Sequence, residues 1–237
     1  MKPRALLLHG GPGIPDYLEP LAVELAPLFE CDRYAQQSHA DVPAFVEEAL
    51  GHLHSPSWVV GHSWGGRLAL EVAAAAPEQL LGLILIGSVG AIGDGGWKDA
   101  GPRLTARLTE EERQQLETAA PGELLEVIWP GYFSNRELAP PYPGWIVDTE
   151  TVDAIYAWVQ EHGPRNELAG ALRSFTHPVL LLHGTFDHIP LEALEATAAL
   201  LPAAELRVLE GVGHFPWLER SGMIFDEVVD FLASRSS

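Results

Sequence analysis

Five short stretches of the chain, at 5–8, 58–60, 83–86, 179–182 and 206–209, are apolar at nearly every position instead of at alternate ones. A strand with one wet face alternates, so strands that do not alternate must be covered on both faces. A weaker stretch of the same kind lies at 31–34. Between them, helical patterns are expected at 16–26, 42–53, 64–76, 191–200 and 217–233. Strand and helix taking turns in this way predict a doubly wound α/β domain with a mostly parallel sheet. With 237 residues the chain can bury one substantial core and still carry an insertion.

The middle of the chain breaks the rhythm. From 92 to 169 no buried strand is expected, and the pattern becomes helical with irregular breaks. Thr109-Glu110-Glu111-Glu112 reads as a capping box that opens one helix. The run from Ala139 to Gly144 holds three prolines and is expected to form an ordered loop. Four of the seven tryptophans fall here, Trp97, Trp129, Trp145 and Trp158. The expectation is a core made of 1–91 and 170–237, with 92–169 inserted as a helical lid.

One pentapeptide sits where strand passes into helix. Gly61-His62-Ser63-Trp64-Gly65 follows Trp58-Val59-Val60 and precedes a run of helix formers that ends at Pro77. A G-x-S-x-G sequence in that setting predicts a tight, strained turn that lifts the serine hydroxyl above the sheet edge. Small residues two positions either side avoid clashes at such a turn. A serine hydroxyl is a weak nucleophile near neutral pH and needs a base, and the base needs an orienting group. Asp187 lies in the loop beyond the stretch 179–182, and His214 in the equivalent loop beyond 206–209. Parallel strands end along one edge, so Ser63, Asp187 and His214 can converge there although far apart in sequence. Taken alone, Asp187 would also suit a loop or helix cap ahead of Pro190.

His9-Gly10-Gly11-Pro12-Gly13 follows the first strand. Acyl transfer needs backbone N–H donors aimed at the developing oxyanion. Trp64, after the serine, and Gly11, which has no side chain to block approach, are the expected donors. His9 is expected to hold loop geometry. A phosphate-binding loop is excluded, because neither a Walker lysine nor a G-x-G-x-x-G frame is present. The ten histidines are scattered; His52/His54 and His183/His188 lack a third ligand at close spacing, so neither metal nor cofactor is expected.

Composition narrows the partners. The formal net charge of −19 repels nucleic acid and anionic membrane surfaces. No apolar run approaches the length of a membrane span. Cys31 is the only cysteine, so no intramolecular disulfide forms, which fits a reducing, cytoplasmic setting.

Together, His9-Gly-Gly-Pro-Gly13, Gly61-His-Ser-Trp-Gly-Gly66, the Asp187 loop and Gly213-His214-Phe215-Pro216 resemble the α/β-hydrolase superfamily. The first two look most like the proline iminopeptidase family. The superfamily resemblance implies a serine hydrolase with Ser63 as nucleophile, His214 as base and Asp187 as orienting acid. The narrower one implies release of an N-terminal proline from short peptides. A small-molecule carboxylesterase, a carbon–carbon bond hydrolase and a cofactor-free lyase share the same fold and three residues, and a ligand-binding receptor can also be built on it. Expected pocket walls are the lid aromatics Trp97, Trp129, Tyr132, Phe133, Tyr142 and Trp145. An amine-binding carboxylate would come from Glu137, Asp148, Glu150 or Asp153, in a segment with 14 acidic against 6 basic residues, a net of −8.

Overall fold

The computed structural model describes residues 2–163 and 166–235. Six strands form one sheet: β1 (Arg4–Leu8), β2 (Glu30–Arg33), β3 (Ser57–His62), β4 (Leu80–Ile86), β5 (Val179–Gly184) and β6 (Ala204–Leu209). Their order is β2-β1-β3-β4-β5-β6, and every pairing is parallel. Alternate residues of the four inner strands, β1, β3, β4 and β5, feed two separate cores, whereas the edge strands β2 and β6 are only partly covered, and Val208, expected within a buried strand, is 41% exposed. Leu6, Leu8, Val59, Leu83, Leu85 and Leu181 face one side. Ala5, Leu7, Val60, Ile84, Ile86 and Leu182 face the other. Double coverage is why these segments read as continuous apolar runs.

The first core is closed by α2 (Val42–Gly51), α3 (Trp64–Ala75), α8 (Glu167–Leu172) and α9 (Leu191–Ala198), through residues such as Phe45, Leu68, Leu172 and Leu194. The second is closed by α1 (Glu19–Leu25) and α11 (Met223–Ser234), through Leu21, Leu25, Val228 and Phe231. The expected helix at 217–233 is two helices. α10 (Pro216–Glu219) stops and α11 restarts after Gly222, whose φ of 84° no continuing helix allows. The break frees Glu219 to turn toward the site. α1 begins later than expected, because the Asp16 carboxylate accepts the Leu18 N–H at 2.9 Å and Pro20 occupies the first turn.

Between β4 and β5 the described residues hold no strand. They form α4 (Trp97–Thr105), α5 (Glu110–Thr118), α6 (Leu124–Ile128), α7 (Thr149–His162) and then α8. Thr109 caps α5 with the reciprocal Thr109–Glu112 capping box. Residues 139–148 run as a loop without regular structure. No helix among the described residues is long and apolar enough to cross a membrane.

The chain leaves β1 toward β2 on one side and returns to β3 on the other. That change of direction opens a crevice at the carboxyl ends of β1 and β3, where open α/β sheets hold ligands.

Candidate active site

Ser63 occupies the turn between β3 and α3 with φ 57° and ψ −122°. Only Asn166 shares a positive φ among the described non-glycine residues. An L-residue held there costs about 1–3 kcal/mol and persists only where its surroundings fix it. Here the Ser63 N–H donates to the Ile86 carbonyl at 3.0 Å, and the Ser63 carbonyl accepts from Gly66 at 3.0 Å and Val89 at 3.1 Å. The flanking glycines are demanded by contact. A Cβ on Gly65 would fall 2.0 Å from the Leu8 carbonyl oxygen, and one on Gly61 2.3 Å from that of Gly65. Trp64 is the first residue of α3, so its N–H has no acceptor within the helix and stays free at the positive end of the dipole. Its indole is fully buried beside Phe45 and Trp97.

Asp187 and His214 meet at the carboxyl ends of β5 and β6. The His214 Nδ1 lies 3.0 Å from both carboxylate oxygens of Asp187. Asp187 Oδ1 also accepts the Ile189 N–H at 2.9 Å, the turn bond a cap would make. Both residues are buried. Nδ1 donates its proton to the carboxylate, which leaves a lone pair on Nε2. His188 and His183 bring their Nδ1 atoms to 3.2 and 3.9 Å from the same carboxylate. Burial alone would raise the Asp187 pKa, but the facing His214 with its hydrogen bonds, and the nearby His188 and His183 imidazoles, hold it well below the usual carboxylate range. Burial, reinforced by His214, pushes His188 down to about 4. Asp187, His188 and His214 also form a group that could hold a metal ion, their ligand atoms lying within 4.8 Å of one another. Both imidazole Nδ1 atoms are already turned onto the carboxylate.

The loops carrying these residues are braced from the segment between β4 and β5. Arg107 donates to the backbone carbonyls of Phe186, of Asp187 at 2.7 Å and of Gly131 at 3.3 Å. The His214 N–H donates to the Tyr132 carbonyl at 2.8 Å. Glu219 accepts from the Gly213 N–H at 2.6 Å and the Ser134 N–H at 3.0 Å. His9 is buried and holds its loop as expected, Nδ1–H donating to the Gly10 carbonyl at 2.7 Å and Nε2 accepting the Gln36 N–H at 3.2 Å.

Ser63, His214, Gly11 and His188 face one cavity of about 600 Å³. Four of the six expected aromatics line it, Trp97, Trp129, Tyr132 and Trp145. Phe133 and Tyr142 do not. Phe133 is stacked on Phe215 at 5.7 Å, and Tyr142 donates its hydroxyl to the Trp145 carbonyl at 3.0 Å, so both act as packing behind the wall. Most of the remaining lining is aliphatic, including Leu104, Leu124, Leu125 and Ile128. Of the four carboxylates considered, Asp153 alone reaches the cavity. Asp148 caps α7 instead, accepting from the Thr151 N–H and hydroxyl at 3.2 and 2.8 Å.

A family model described as the alpha/beta hydrolase family matches residues 5–227. The chain belongs to the α/β-hydrolase family. It is similar to 2-hydroxymuconate semialdehyde hydrolase of Pseudomonas putida, 28% identical over an alignment of 211 positions that covers 85% of this chain and 70% of the relative. The pimeloyl-[acyl-carrier protein] methyl ester esterase of Xanthomonas oryzae pv. oryzae is 26% identical over 248 residues, 98% of this chain and 96% of that one. A protein named "Probable proline iminopeptidase" of Leptolyngbya boryana is 27% identical over 260 residues, 88% and 80% of the two chains. Relatives named for three different activities stand at nearly equal distance from this α/β-hydrolase. Its activity must therefore be argued from its own cavity.

Tyr17, His62, Arg107, His188 and Glu219 had no assigned role in the sequence. His62 stood inside a recognised motif; the others carry no local signal, because what marks them is a contact made across the fold.

Proposed function

We propose that this α/β-hydrolase is a serine hydrolase that cleaves an ester or amide through an acyl-enzyme. The observation that carries the reading is the strained Ser63 turn opening into the same cavity as the His214–Asp187 pair. His214 Nε2 takes the hydroxyl proton as Ser63 Oγ attacks the carbonyl carbon. Asp187 holds the imidazole tautomer and stabilises the imidazolium. The N–H groups of Gly11 and Trp64 receive the oxyanion, each worth roughly 3–4 kcal/mol in comparable sites. His214 returns the proton to the leaving group, then activates the water that releases the acid. Residues 92–169 act as the lid that shapes this cavity.

The apolar lining favours small esters or amides with an apolar acyl group. Asp153 at the rim favours a second reading, an amide whose free ammonium lies near that carboxylate, as a short peptide with an N-terminal proline would offer.

The test is labelling by a fluorophosphonate probe, with turnover of p-nitrophenyl butyrate and proline p-nitroanilide, in the protein and its Ser63→Ala variant. Labelling and turnover that vanish with Ser63→Ala are expected, with ester turned over faster than anilide. The second reading holds if the anilide wins and Asp153→Asn removes that preference. Folded protein that neither labels nor turns over would leave a binding role and defeat the hydrolase reading.

A further inference from the structure

A chain of hydrogen bonds runs behind the reacting atoms and joins three loops that carry them. The Gly10 N–H donates to the Tyr17 hydroxyl at 2.8 Å. That hydroxyl lies 2.5 Å from His62 Nδ1, and His62 Nε2 lies 2.8 Å from the His214 carbonyl oxygen. Only one arrangement of protons satisfies all three. The His214 carbonyl can only accept and burial keeps His62 neutral, so its Nδ1 is the lone pair, and the Tyr17 hydroxyl, accepting from Gly10, donates its proton there. Nε2 then carries the imidazole proton and donates it to the carbonyl of His214.

The two ends of this chain matter. At one end Gly10 is fixed twice, its N–H by Tyr17 and its carbonyl by His9 at 2.7 Å. The carbonyl and N–H of a trans peptide point in opposite directions, so fixing the Gly10 carbonyl aims the Gly11 N–H away from His9. At the other end the His214 backbone is held from both sides, its carbonyl by His62 and its N–H by Tyr132. Between the ends, His62 immediately precedes Ser63. The fit is close: a Cβ on Gly10 would lie 2.3 Å from the Tyr17 hydroxyl and 2.9 Å from Ser63 Cβ. His62 is wholly buried, against the rings of His214 at 4.5 Å, Phe215 at 5.0 Å and Trp217 at 4.7 Å.

We infer that Tyr17 and His62 are positioning residues, a relay that locks the oxyanion loop and the base loop onto one another across the nucleophile. The inference rests on the serine-hydrolase reading above. Neither side chain exchanges a proton with substrate; together they keep the Gly11 donor and the His214 ring in register with Ser63. Tyr17 has a second duty that its hydroxyl does not share. Its ring lines the cavity and stacks on Trp145 at 4.9 Å and 26°. Removing the hydroxyl alone therefore separates the relay from the wall.

The experiment compares Tyr17→Phe, His62→Leu and the double variant for kcat and KM on p-nitrophenyl butyrate and for fluorophosphonate labelling rate, with circular dichroism as the folding check. Losing a whole oxyanion donor costs on the order of 100- to 1,000-fold, so a misaimed one should cost kcat about 10- to 100-fold. KM should stay within about twofold, because binding to the apolar wall is untouched. The double variant should be no slower than the slower single, since both cut one chain. Tyr17→Phe is the decisive variant, as it keeps the ring and the packing. Wild-type kcat in folded Tyr17→Phe overturns the relay, as does a loss confined to KM or losses that multiply in the double variant. If the unaltered protein does not label at Ser63, the hydrolase reading falls and the relay with it; if it labels and Tyr17→Phe labels equally fast, only the relay falls.

Discussion

Gly87 follows β4 at φ 49° and faces Asp187 and His214. A Cβ there would stand 2.5 Å from Asp187 Oδ2 and 3.0 Å from His214 Nδ1. Ordinary contact begins near 3.4 Å, so Gly87→Ala asks the Asp187 carboxylate to retreat by 3.4 − 2.5 = 0.9 Å. The carboxylate cannot retreat freely, being held by His214 and the Ile189 N–H and buried among His183 and His188. A misplacement of about 1 Å in a reacting constellation costs on the order of 100-fold, and kcat should fall by about that factor. The positive φ adds about 1–2 kcal/mol of backbone cost in any L-residue. Gly93 supplies the control, with φ 59° and nothing within 4 Å of its would-be Cβ. Gly93→Ala should lose the same backbone increment in urea unfolding and keep wild-type kcat. Gly87→Ala should lose stability and activity together, read by urea unfolding and by the burst and steady-state rates on p-nitrophenyl butyrate. Wild-type kcat in Gly87→Ala, or an equal activity loss in both variants, refutes the reasoning.

Three further outcomes are expected. Ser63→Gly should abolish turnover and yet raise stability by about 1 kcal/mol in urea unfolding, because glycine accepts φ 57° without strain and offsets only part of that gain in the unfolded chain; a lower midpoint would show that the turn is not strained. Arg107→Leu removes the donor shared by the Phe186, Asp187 and Gly131 carbonyls, so stability should drop by about 2 kcal/mol and kcat by about tenfold, with an unchanged melting temperature as the contrary result. His188 stays neutral in the fold down to about pH 4, while the unfolded chain protonates near 6.5. Stability should therefore fall as pH drops through that window, by about 3 kcal/mol from this group once pH 4 is reached. His188→Gln should flatten the urea-unfolding profile between pH 6.5 and 4 by that amount, and an unchanged slope would show that His188 does not titrate as stated.

Much of this site was legible in the sequence because its signals are local. An apolar run that does not alternate announces a strand covered on both faces, and G-x-S-x-G between strand and helix announces the Ser63 turn. Glycine at 61 and 65 is needed where the backbone itself approaches within a bond length or two, a demand the pentapeptide displays directly. Parallel strands then bring the Asp187 and His214 loops to one edge, because equivalent strand ends are neighbours whatever the distance along the chain. The break at Gly222 was illegible, since helix propensity on either side conceals a glycine whose φ is set by where α11 must dock. Phe133 and Tyr142 match the other four aromatics of the segment between β4 and β5 in sequence, and only packing turns two of the six behind the wall and four toward the cavity.

The layered sheet and the placing of Ser63, Asp187 and His214 along its carboxyl edge follow from the amino-acid order, because periodicity and turn chemistry act over a few positions at a time. Tertiary structure alone decided what holds those residues still. Tyr17 and His62 are 45 residues apart, His62 and the His214 carbonyl 152, Arg107 and the Asp187 carbonyl 80, and Ser134 and Glu219 85. A hydrogen bond is directional and reaches only about 3 Å, so none of these pairings exists until the sheet and the segment between β4 and β5 have set both partners in place.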